Sequence, residues 1–167
     1  MIPVVIGTNP ERRNWLDDCL TSIRRTSRPR RRILVHETGG YEIAALRTGA
    51  INFRKFLFLH DSCEVLSPHF WNIIDTADPT WLFGGPPMYL GVYDGPRLER
   101  AIIDAPSEMT KASSIAWEGE LAKRLQHPVL WPDVHDGTGT ITAHHGRANL
   151  VLENEHLRKW KGNWGQA

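Results

Sequence analysis

The sequence predicts an α/β protein with a mostly parallel central sheet flanked by helices. Three observations carry that expectation. Over the first sixty or so residues, short apolar runs alternate with segments of helical periodicity, in the order strand, helix, strand, helix, strand. The run Lys55-Phe56-Leu57-Phe58-Leu59-His60 is apolar without strict alternation, as an inner strand buried on both faces requires. It stops abruptly on His60-Asp61. Ligands of parallel sheets lie beyond the carboxyl ends of the strands, so Asp61 is expected at a cleft, where its carboxylate can hold a divalent cation.

Taken in order, residues 2–6 read as the first strand, ended by Gly7-Thr8-Asn9-Pro10. Trp15, Leu16, Cys19, Leu20 and Ile23 then share one face of a helix over about 11–25. Arg24 to Arg32 is a basic connector broken by Pro29, and Ile33 to His36 is the second strand. Tyr41, Ala44, Ala45, Thr48 and Ile51 predict a second amphipathic helix, and Phe56 to Leu59 is the third strand. A short helix is expected on Phe70, Trp71, Ile73 and Ile74. Strands follow at 81–83 and 88–93, on either side of Gly84-Gly85-Pro86-Pro87. Helices are expected at about 95–104, using Leu98, Ile102 and Ile103, and at about 114–126, using Trp117, Leu121 and Leu125. Val129 to Trp131 is a further short strand, and the tail carries His144-His145-Gly146-Arg147 and a polar end rich in Lys, Trp and Gly.

At 167 residues the chain reads as a single unit, 1–167, with a first half over 1–64 and a second over 65–167. Lys and Arg (20) nearly balance Asp and Glu (19), so no global field recruits nucleic acid or an anionic membrane. The Arg24 to Arg32 cluster reads as a solvated connector rather than a phosphate-binding surface. Cys19 and Cys63 form no close pair, which argues against a disulfide framework or a zinc knuckle and fits a reducing compartment. The apolar run after Met1 is too short for a signal peptide or a membrane span, so a cytoplasmic location is expected.

One further residue stands out on local grounds. Glu120 has Lys123 and Arg124 at helical pairing distance, as a surface carboxylate does. Glu118 has no basic residue at those offsets and borders Trp117, Leu121 and Ala122. An unpaired carboxyl beside a tryptophan has the environment of a general base with a raised pKa. If Ser114 caps the helix, Glu118 lies in its first turns, and the helix dipole opposes that rise.

The order of these pieces resembles the nucleotide-sugar-dependent glycosyltransferases of the Rossmann-like A-type fold, particularly the inverting family-two group. Val4-Val5-Ile6-Gly7-Thr8-Asn9 looks like the opening that seats the nucleoside, and Val35-His36-Glu37 like the strand end whose acidic residue contacts the base. Leu46-Arg47-Thr48-Gly49-Ala50 is similar to the element beside the diphosphate. Phe58-Leu59-His60-Asp61-Ser62 falls where the group carries its Asp-x-Asp metal motif, with Ser62 in place of a second aspartate. Trp117-Glu118-Gly119-Glu120 falls where a Glu-Asp pair supplies the catalytic base. The tail, His144-His145-Gly146-Arg147 through Lys159-Trp160-Lys161-Gly162, resembles the ending of small, often phage-borne members.

The resemblance implies Gly7, Thr8, Glu37, Arg47 and Asp61 as donor-binding residues and Glu118 as the catalytic base. It implies Asp61 with His144 or His145 as ligands of Mn²⁺ (or Mg²⁺), since one or two protein ligands suffice when phosphate oxygens complete the shell. Gly84, Gly85 and Trp117 are the expected acceptor contacts. The expected reaction is transfer of a sugar, with inversion, from a UDP-linked donor to a hydroxyl of a protein, a glycan or a modified DNA base. Ser62 and Gly119 favour a competing reading, a non-catalytic sugar-nucleotide-binding module. A nucleotidyltransferase ranks last, because Gly7-Thr8-Asn9-Pro10 is not a Gly-rich phosphate loop. His135-Asp136 is a weaker candidate pair.

Overall fold

A computed structural model describes residues 1–37, 41–83, 89–131, 142–144 and 147–160. Its centre is a six-stranded sheet made of β1 (Val4–Thr8), β2 (Ile33–Glu37), β3 (Lys55–His60), β5 (Thr80–Phe83), β6 (Gly91–Asp94) and β7 (Val129–Trp131). The strands lie in the order β2-β1-β3-β6-β5-β7. β1 is parallel to β2 and β3, and β5 is parallel to β7. β6 alone runs against its neighbours β3 and β5. The expected α/β class with a mostly parallel sheet therefore holds, with one reversed strand.

The apolar runs are buried on both faces, as their lack of alternation requires. Val4, Ile6, Leu57 and Leu59 point into one core, shared with Leu16, Cys19 and Ile23 of α1 (Arg13–Thr26) and Phe70, Trp71 and Ile74 of α3 (His69–Thr76). Val5, Phe56, Phe58 and Tyr93 point into a second core. That core is completed by α2 (Tyr41–Asn52), α4 (Gly95–Ala101) and α5 (Lys111–Leu125). The sheet is thus covered by helices on each side. Among the described residues no helix is long and apolar enough to cross a membrane.

Several expectations shift. The first strand runs two residues later than 2–6: its paired register begins at Val4, and Pro3 contributes only its carbonyl, which accepts the Leu57 N–H at 2.9 Å. On α2 the buried positions are Ile43, Ala45, Leu46 and Ala50, while Ile51 is exposed. α2 is covered by the sheet on one side and by α4 and α5 on the other, so its apolar residues are not confined to one stripe. Gly49 lets it lie close on β3, since a Cβ there would come within 2.6 Å of the Phe56 ring. α4 stops at Ala101, which leaves Ile103 exposed. α5 starts at Lys111, capped by Thr110 and Ser113 in reciprocal hydrogen bonds, and not at Ser114.

The tail contributes strands that the sequence pattern does not assign. β4 (Cys63–Val65), β8 (Thr142–His144), β9 (Arg147–Glu153) and β10 (Leu157–Trp160) form a second, antiparallel sheet in the order β4-β10-β9-β8. β4 leaves β3 through the turn at Asp61-Ser62, so this sheet is seated at the carboxyl end of β3.

Candidate functional site

The parallel register sets the carboxyl ends of the first three strands in a row. Thr8 is opposite Glu37, and Gly7 is opposite both His36 and His60. With β2 and β3 on opposite sides of β1, the crevice between β1 and β3 is the point where the strand order reverses, the usual ligand position in such sheets. Gly7 keeps this corner tight: a Cβ would meet the Phe58 ring at 3.2 Å and the Ala45 methyl at 3.4 Å.

Asp61 follows directly on β3. Its backbone N–H donates to Gly7 O (3.2 Å), and its carboxylate accepts the Thr8 hydroxyl proton at Oδ2 (2.8 Å). Its Oδ1 faces the Arg12 guanidinium at 3.0 Å, and the Asp61 side chain has 0% exposure against 13% for Arg12. Arg12 arrives on a 3₁₀ turn, Pro10–Arg12, which Asn9 caps by accepting the Glu11 N–H at 3.0 Å. Burial raises the Asp61 pKa, opposed by Arg12, Thr8, Lys159 and the Ser62 backbone.

The second sheet adds another positive group. β10 pairs with β4 so that Lys159 lies opposite Cys63, and the Trp160 N–H donates to Ser62 O at 2.9 Å. The Lys159 ammonium, itself buried, donates to the Ser62 hydroxyl and to Trp160 O (2.8 Å). Burial lowers its pKa and the Arg12 charge lowers it further, while Cys63, Asp61 and Glu42 raise it.

Glu42 of α2 lies beside this corner, and Glu118 of α5 is close enough to Glu42 to feel its charge. Glu42, in the first turn of α2, accepts the Ser114 hydroxyl at 3.3 Å and stands 3.8 Å from His60 Nε2. Ser114 is one helical turn before Glu118, and its carbonyl accepts the Tyr89 hydroxyl at 2.7 Å. Tyr89 holds a left-handed backbone conformation (φ 58°), a strained state for a bulky side chain. Burial and the neighbouring Glu42 push the Glu118 pKa up to about 7. Burial also raises Glu42, with Asp61 adding to the rise and Lys159 opposing it. Glu42 thereby links the two groups electrostatically.

Of the expected residues, Gly7, Thr8, Glu37 and Asp61 share the strand-end row, and Glu118 joins through Glu42. Glu37 is half-exposed and lies 3.7 Å from Arg13. Arg47 points elsewhere: its guanidinium donates to the carbonyls of Ala105 (2.9 Å) and Ile102 (3.4 Å), clasping the segment after α4. Trp117 is partly buried under Arg124, whose guanidinium carbon is 4.9 Å from the ring centroid. Gly84, Gly85, His135, Asp136 and His145 lie outside the described residues, as does the side chain of His144, whose backbone belongs to β8.

The described residues do not fit the expected Mn²⁺ (or Mg²⁺). Both Asp61 oxygens face protein donors, and Arg12 and Lys159 bring positive charge to the carboxylate. A divalent ion there would have to displace Arg12. Among the described residues no group of three or more His, Cys, Asp or Glu is placed to hold a metal ion.

Arg12, Glu42, His60, Ser114 and Lys159 are the site residues that sequence reading missed. A signal existed for His60, which directly precedes Asp61 on the same apolar strand, and for Arg12, two residues after the Asn9-Pro10 turn. None existed for Lys159, which reads as part of a basic tail. No family model matches this chain, and comparison with curated proteins and with solved structures returns no match.

Proposed function

We propose that this protein transfers a sugar, with inversion, from a nucleotide-sugar donor to an acceptor hydroxyl, on a Rossmann-like sheet of the A-type. The observation that supports this reading best is Glu118. It is a carboxyl whose pKa burial and Glu42 bring to about 7, and Glu42 in turn acts on the strand-end corner held by Thr8 and Asp61. A group with that pKa is half ionised near neutral pH, where a general base is most effective.

In the proposed reaction the acceptor oxygen attacks the anomeric carbon in line with the departing diphosphate. The carbon–oxygen bond to the donor breaks, its electron pair leaves with the diphosphate, and Glu118 takes the acceptor proton. One displacement inverts the anomeric centre. The nucleoside would lie along Thr8 and Glu37, with the diphosphate at the β1–β3 crevice. The acidic Glu37 at the end of β2 suits hydrogen bonding to a ribose or base.

Transfer from a panel of UDP-sugars, measured with Glu118→Gln, tests the reading. UDP affinity should stay within about twofold while turnover falls by ~10²-fold or more, the usual reach of a general base. Wild-type turnover in the variant would remove Glu118 from the chemistry. UDP binding without turnover on a broad acceptor panel would leave a sugar-nucleotide-binding module instead.

A further inference from the structure

We infer that Arg12 and Lys159, oriented by Asp61 and Ser62, form a built-in cationic site for a diphosphate, in place of a divalent ion. The inference rests on the donor reading above and deepens it.

The argument begins with charge. A divalent cation held by one carboxylate leaves one net positive charge for the phosphates. Arg12 with a protonated Lys159, set against an ionised Asp61, carries the same net charge. Position 62, where the resemblance expects a second carboxylate, carries a hydroxyl that accepts a hydrogen bond from Lys159. A carboxylate there would cancel the ammonium, whereas serine satisfies it and leaves its charge intact. Burying an ammonium is costly unless it is hydrogen-bonded and balanced, and here Ser62, Trp160 O and Asp61 provide both.

Arg12 is the less buried of the two cations, with 13% of its side chain exposed. The Asn9-capped turn, the Asp61 carboxylate and the Trp15 ring, 5.6 Å from the guanidinium carbon, fix its direction. A guanidinium is always charged, and its planar fork matches two phosphate oxygens. Asp61, fully buried, is then a positioning residue that acts through Arg12. Lys159 acts through space on charge developing at the leaving diphosphate, in a corner where water screens little.

Calorimetric titration of UDP, uridine and inorganic pyrophosphate in EDTA, with UDP repeated in Mn²⁺, tests the site. UDP and pyrophosphate should bind in EDTA, with Mn²⁺ changing UDP affinity by less than about threefold. Arg12→Gln should weaken both ligands by about tenfold or more and leave uridine unchanged, and Arg12→Lys should recover only part of the loss. Lys159→Met, its fold checked by circular dichroism, should weaken both as well. If that variant does not fold, the two Arg12 variants decide. UDP binding that requires Mn²⁺, pyrophosphate that fails to bind in EDTA, or Arg12→Gln with wild-type affinity overturns the inference. Mn²⁺-dependent UDP-sugar turnover would uphold the transferase and overturn this site. Arg12-dependent pyrophosphate binding with no response to any UDP-sugar would uphold the site and overturn the transferase.

Discussion

Glu42 and Glu118 sit near one another with most of their surface withdrawn from water, and the charge of Glu42 makes ionisation of Glu118 harder. Burial favours the neutral acid, so the basic form of Glu118 accumulates only as pH rises through about 7. The acid limb of kcat/KM should lie there. Removing the Glu42 charge by Glu42→Gln relieves the second cause and leaves burial, the larger one, in place. The limb should therefore move to lower pH by roughly one unit or less while staying above an ordinary glutamate. Superimposable pH profiles for wild type and variant would show that Glu42 does not tune the base. The isolation of Glu118 was legible in the sequence, because its helical neighbours are known from spacing alone. Its partner was not: Glu42, which accepts the Ser114 hydroxyl, lies 72 residues before Ser114 along the chain.

At the scale of elements, the start of α5 changes how Glu118 is understood. With Thr110 as the cap, Glu118 falls in the third turn, beyond the reach of the helix N-terminal dipole that would otherwise lower its pKa. Gly119, at the position where the resemblance expects a second carboxylate, is exposed, and a Cβ built on it meets nothing within 4 Å. A side chain there would point away from the Glu42–Ser114 face. Gly119→Ala should stabilise α5 by about 1 kcal/mol, the helix-propensity difference, read as a higher denaturation midpoint with unchanged UDP affinity. A destabilised variant would mean that the glycine serves a contact or a conformation not seen here. Helices and inner strands were readable because their periodicities are local. The second sheet escaped because β4 has only three residues and β10 carries Arg158 and buries Lys159, against the usual strand pattern.

For the molecule as a whole, one ion pair ties three distant segments together. Arg31 binds Asp75 through two hydrogen bonds of 2.7 Å, donates to Ile2 O at 3.1 Å and stacks over Trp71 at 4.2 Å. Asp75 also accepts the Ile2 N–H at 2.9 Å. The Arg24 to Arg32 cluster is therefore not wholly solvated. Arg31 is a buried clasp between the start of β1, the approach to β2, and α3. Asp75→Asn strands the buried guanidinium and should cost about 2–3 kcal/mol at neutral pH. Arg31 and the Ile2 N–H hold the Asp75 pKa below the usual carboxylate value. That stabilisation is present above about pH 4 and is lost as pH falls through the lowered pKa, so the two stability curves should converge in acid. A gap independent of pH would assign the cost to packing instead.

The order of the chain by itself determined the α/β class, the buried central strands, the position of Asp61 beyond the third of them and the isolation of Glu118. Each depends on residues within a turn or a strand of one another. Only the tertiary structure decided what stands around Asp61 and Glu118. Arg12, Lys159 and Glu42 come from a turn, a tail strand and a helix start that share no local pattern. Their electrostatic effect comes from burial and from distance in space, and both arise only when the two sheets and their helices pack.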